Sequence, residues 1–149
     1  WASLNFLLNR TDFSQNIKVQ ILNASKNDLV DDFEDAPDIT QTGLYRKIYT
    51  DEYGQFGGEP FGVVIGDYDF NYKAPDVELL SNMASLSAMT HAPFISAASC
   101  EFFGVDKYEE LPTLKEVESI FDGAQYAKWN GFRESDDARY VGCYCSKGL

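Results

Sequence analysis

The chain has 149 residues, 44% of them apolar, with 11 Phe, 9 Tyr and 2 Trp. That length suits one domain able to bury roughly 70% of its unfolded surface, so a core is feasible without staples. A formal charge of −12 argues against a nucleic-acid partner, which needs Lys and Arg to neutralise phosphates, and against adhesion to anionic lipid. The lack of any run of about 18 apolar residues argues against membrane insertion.

In chain order, "SLNFLLNRT" sets Leu4, Leu7 and Leu8 at helical spacing and favours a short helix, with a strand as the alternative. "IKVQILNAS" alternates Ile17, Val19 and Ile21 against Lys18 and Gln20, the period of a half-buried strand. Ser25 followed by Asp28 marks a helix start, with Leu29, Val30 and Phe33 as its apolar stripe. Six of the eleven residues from Asp28 to Asp38 are acidic and none is basic, which reads as a solvated face or as a docking surface for a basic partner. "TGLYRKIYTDEYG" predicts a second helix with Leu44 and Ile48 inward.

Val63, Val64 and Ile65 are consecutive and β-branched, the signature of a strand covered on both faces at the centre of a sheet. "APDVELLSNMASLSAMT" predicts a helix: Pro75 suits its first turn, Asp76 and Glu78 sit at the positive end of its dipole, and Met83 and Met89 fall in its interior. "APFISAAS" is a short strand of small residues. Thr113 and Glu116 have capping-box spacing ahead of Leu114, Val117 and Phe121. Tyr126, Trp129 and Arg133 share one face of a last helix extended through "ESDDAR", and "YVGCYC" closes as a strand. This order predicts an α/β layered domain, with helices packed on a mainly parallel (or mixed) β-sheet.

Little in the pattern carries chemistry. Gly54, Gly57, Gly58, Gly62 and Gly66 lack the lysine of a phosphate loop and run from helix into strand, so they read as a joint. In "VVIGDYDFN", Asp67 and Asp69 resemble the D-x-D pattern of magnesium-dependent phosphotransferases, but Asn71 stands where a threonine or serine continues that pattern. His91, the only histidine, lies at a helix-to-strand joint and reads as a hydrogen-bonded packing residue. Ser96 and Ser99 lack a nucleophile elbow. Cys100, Cys143 and Cys145 are too few and too odd in number for a disulfide framework, and C-x-C is not a zinc pattern. The expectation is no catalytic, cofactor-binding or metal residue.

Longer stretches say more. "YGQFGGEPFGVVIGDYDF", "PDVELLSNMASLSAMTHAPFISAAS" and "FRESDDARYVG" closely resemble the large contractile-sheath subunit of bacterial type VI secretion systems, the TssC/VipB/ImpC/EvpB family. Trp1 with "LNFLLN", "LYRKIYTDEYG", "EFFGVDKYEEL" and "AQYAKWNGFRES" follow in matching order. The resemblance implies a structural cytoplasmic subunit and no enzyme. It implies pairing with a small TssB/VipA-like subunit and with further copies of the large subunit, around a tube of Hcp hexamers. An AAA+ unfoldase would recycle the contracted sheath, so ATP would be used by that partner. Relatives carry a longer N-terminal segment, and after "DARYVG" they continue with apolar and PRFL-like residues, where this chain reads "CYCSKGL". Cys100 also stands where proline is common. The expected organisation is a sheath-subunit domain over 1–142, part of a longer protein, and an atypical tail over 143–149 from truncation or frameshift. The alternatives are a phosphotransferase using Asp67 and Asp69, or a small acidic adaptor.

Overall fold

The structure, a computed structural model, describes residues 17–51, 54 and 56–145, with Asn5 and Asn9. The helix expected on Leu4, Leu7 and Leu8 lies outside the described residues. Helix α1 (Lys26–Asp35) begins as its sequence predicts: the Ser25 hydroxyl accepts from the Asp28 amide while the Asp28 carboxylate accepts from the Ser25 amide. Leu29 is the buried anchor of this otherwise acidic helix.

Helix α2 (Gly43–Tyr45) is capped by the buried Thr42, whose hydroxyl accepts from the Tyr45 amide. It widens into a π-helical turn over Arg46–Thr50, closed by the Asp51 amide on the Arg46 carbonyl at 2.7 Å. Leu44 and Ile48 face the core as predicted.

Among the described residues three parallel strands follow: β1 (Val64–Phe70), β2 (Phe94–Ala98) and β3 (Val141–Cys145), in spatial order β1-β2-β3. This corrects the expectation of a central strand at Val63–Ile65. β1 lies at the sheet's edge; Ile65 is 60% exposed and the small-residue strand β2 is central. Burial in β1 alternates after Val64, so only one of its faces is covered. A run of β-branched residues is compatible with a two-faced strand, but tertiary pairing places it.

Helix α3 (Ala74–Thr90) connects β1 to β2 and covers one face of the sheet. Its apolar residues are spread over a wide arc, so Val77, Leu79, Leu80, Met83, Ala84 and Leu86 are all buried. Met89 is the exception to the expected interior: it is 46% exposed near the helix's end. Phe70, Phe94, Leu80 and Leu86 are almost wholly enclosed, and each such side chain contributes about 1.5–3 kcal/mol through removal from water.

The last third departs most from expectation. Glu116 adopts a left-handed conformation (φ 62°), and the Thr113 hydroxyl donates to the Glu110 carbonyl, so no capping box forms. Tyr108–Thr113 and Val117–Asp122 are 3₁₀ segments. Phe121 belongs instead to an aromatic cluster with Phe102, Phe103 and Tyr126, and Trp129 meets Phe102 edge-on at 4.5 Å. Helix α4 (Ala127–Glu134) ends before "SDDAR", because Ser135 turns extended and a 3₁₀ segment, Asp136–Tyr140, leads into β3.

Candidate functional site

The two aspartates lie where α/β folds often bind ligands, towards the carboxyl end of a strand. Asp67 and Asp69 occupy alternate positions of β1, which directs both side chains away from the core, and both are exposed. Among the described residues, no group of three or more His, Cys, Asp or Glu side chains converges into a metal site.

The strand's end is tied by other groups. Lys26 Nζ donates to the Asp69 carbonyl at 2.9 Å, pairs with Asp76 at 2.7 Å and sits 4.6 Å above the Phe70 ring. The other Asp76 oxygen accepts from the Asn71 amide at 2.8 Å. The negative charge at the start of α3 therefore stitches α1, β1 and α3 together.

His91 is exposed and ends α3 in a left-handed conformation (φ 54°), which corrects its reading as a hydrogen-bonded packing residue. Ser96 is fully buried, and its hydroxyl is within hydrogen-bond distance of the Gly66 and Tyr68 carbonyls, at 2.9 and 2.7 Å. Opposite it the ladder slips: Ile65 pairs with Ile95 but Asp69 with Ala97, so one residue of β2 faces three of β1. The hydroxyl substitutes for a ladder bond at that bulge. Ser99 Oγ is buried without a hydrogen-bond partner.

The three thiols are free. Burial pushes Cys143 up to about 11, the opposite of what a thiolate nucleophile requires. Cys145 is also raised, by burial and then by the neighbouring Cys100. Cys143–Cys145 belong to β3, paired with Ser96, Ala97 and Ala98.

The acidic stretch is largely structural. Asp28 is held below its ordinary value by hydrogen bonds from Ser25, and Asp38 by those from Thr40. Asp32 accepts from the Gly43 and Leu44 amides at 2.8 and 2.9 Å, satisfying the start of α2. Asp31, Glu34 and Asp35 remain as exposed side chains of the patch. Neither the Asp32 bridge nor the Ser96 bridge had a local sequence signal, since each joins segments distant in the chain. The Lys26–Asp76 pair, 50 residues apart, had none either.

What the surface offers is area for contact. The sheet face opposite α3 shows Ile65, Ile95 (36% exposed) and Tyr144 (49%), although parallel sheets ordinarily have both faces covered. Beside the edge of β1 runs a groove of about 410 Å³ whose lining includes Ile21, Leu22, Leu44, Ile48 and Val63. Among the described residues, no helix is long and apolar enough to cross a membrane.

The type VI secretion system sheath protein TssC1 of Pseudomonas aeruginosa is 44% identical over 144 residues, covering 95% of this chain and 29% of that protein. The chain thus spans less than a third of its relative's length. The VipB family, described as EvpB/VC_A0108, tail sheath N-terminal domain, matches residues 1–148. That family is structural rather than enzymatic, which leaves the phosphotransferase reading of Asp67 and Asp69 without support. By this match over almost its whole length, the chain belongs to the VipB family of contractile tail sheath proteins.

Proposed function

We propose that this chain is the N-terminal part of the large subunit of a type VI secretion sheath. In this reading it acts in the cytoplasm, pairs with a TssB/VipA-like small subunit and stacks with further copies around an Hcp tube. Contraction then drives the tube outward, and an AAA+ unfoldase acts on the contracted sheath. The sheath domain takes in residues 1–142, and 143–149 form a tail whose first three residues continue β3. No residue is assigned a catalytic, cofactor-binding or metal role.

The observation that carries the proposal is the 44% identity to TssC1 over 95% of the chain. Physical features support it. Ile65, Ile95 and Tyr144 form the uncovered face of a parallel sheet, suited to burial by further protein. A charge of −12 favours solubility before assembly. A head-to-tail contact whose rotation does not close builds a helical filament, and a second packing of that contact permits contraction.

Co-expression of the full-length protein with the small sheath subunit, followed by affinity purification and electron microscopy, tests this. Co-purification and hollow helical filaments are expected. A protein that neither retains the small subunit nor polymerises with it would refute the assignment.

A further inference from the structure

Two of the free thiols meet at the carboxyl end of the sheet. Cys145 ends β3 and pairs directly with Ala98, which ends β2. The path of β2 runs one residue further, since Ser99 is extended and its amide donates to the Phe70 carbonyl at 2.8 Å. Cys100 therefore stands two positions beyond Ala98, on the same side of the sheet and diagonal to Cys145. Diagonal neighbours in a ladder lie about 7–8 Å apart at Cα, with their Cβ atoms closer.

Tyr108 spans the same corner. Its hydroxyl donates to the Ala98 carbonyl at 3.2 Å. Burial raises this phenol, and Asp69, Cys100 and Cys145 add to the shift, so both thiols lie around one hydroxyl. Cys100 is half-buried and Cys145 exposed, so an oxidant in solution can reach the pair. Cys143 differs: it packs against the core, and burial pushes it up to about 11. Cys143 and Cys145 share a face of β3, but a strand holds such side chains parallel and about 6.5–7 Å apart at Cα. A disulfide cannot join them without bending the strand.

We propose that Cys100 and Cys145 are an oxidation-responsive dithiol that closes to a disulfide, stapling the end of β3 to the turn after β2. The oxidant is a peroxide. The exposed Cys145 sulfur, as thiolate, attacks one peroxide oxygen: an S–O bond forms, the O–O bond breaks, and the departing hydroxide leaves as water with the thiol proton. The Cys100 thiolate then attacks the Cys145 sulfur. An S–S bond forms, and the hydroxyl on Cys145 leaves as a second water with the Cys100 proton. The two thiols together lose two electrons, and hydrogen peroxide is reduced to two waters. The closed loop takes in α4, β3 and the 3₁₀ segments between β2 and β3, so the staple restricts the least regular part of the chain. Burial and then Cys100 hold the Cys145 thiol above its ordinary value, which keeps the reduced pair unreactive until oxidant is present.

Peptide mapping by mass spectrometry tests the staple, on the full-length protein reduced and then exposed to a slight excess of hydrogen peroxide. Remaining thiols are blocked by alkylation, and chymotrypsin, which cuts after Tyr144, separates Cys143 from Cys145. The expected product is a Cys100–Cys145 cross-link within one chain, two hydrogens lighter than the reduced pair, with Cys143 alkylated. Dithiothreitol should reverse it. The cross-link should be lost in Cys100→Ser and in Cys145→Ser and kept in Cys143→Ala. A Cys143–Cys145 bridge, a cross-link between two copies, or oxidation of both thiols to sulfinic acid without bridging would overturn the proposal. So would Cys100 and Cys145 both remaining open to alkylation under peroxide that fully oxidises glutathione in the same solution.

Discussion

Ser96 and Asp32 show how single side chains hold this fold. The Ser96 hydroxyl is enclosed at the β1 bulge, where the carbonyls of Gly66 and Tyr68 lack a regular ladder partner. Ser96→Ala leaves a buried acceptor unsatisfied and should lower unfolding free energy by about 1–3 kcal/mol, read from the shift in denaturant midpoint. Gly66 beside it has its own constraint: a Cβ there would lie 2.6 Å from the Phe94 ring. Asp32 differs from its neighbour Asp31 in having two backbone amides to serve. Asp32→Ala should cost about 1–2 kcal/mol, while Asp31→Ala should stay within about 0.5 kcal/mol. Equal effects of the two substitutions would mean that only their charge matters.

At the scale of elements, legibility followed the range of the controlling interaction. α1 was readable because its capping box spans Ser25 to Asp28, and α3 because Pro75 and a long apolar arc lie within one helix. The Thr113–Glu116 spacing misled for the converse reason. The same local signal loses to Phe121, which the aromatic cluster of Phe102, Phe103 and Tyr126 draws in, and the segment winds as 3₁₀. The β1 edge misled similarly: Val63, Val64 and Ile65 match a central strand, yet Phe94–Ala98 takes the centre. The position in the sheet is set by pairing.

For the whole molecule, alkaline pH probes the packing of β3 against the core. Cys143 has a folded pKa of about 11 against an ordinary 9.0, because burial disfavours its thiolate. The unfolded chain therefore releases that proton first. The contribution is fully present below pH 9.0 and is lost as pH rises towards 11. Unfolding free energy should drop by about 1–3 kcal/mol across that window from this group. The drop should shrink in Cys143→Ala, measured by denaturant titration at fixed pH values. Tyr68, Tyr108 and Tyr126, each raised chiefly by burial, extend the loss at higher pH.

The amino-acid sequence by itself determined the layered α/β class, the helix starts at Ser25 and Pro75, the three paired strands and the sheath family, since these rest on short-range periodicity or long runs of similarity. Only the tertiary structure decided the strand order, the edge position of β1, the Lys26–Asp76 tie and the burial of Ser96. Each of these joins residues far apart in the chain, and no local pattern encodes which distant backbone group a side chain will meet.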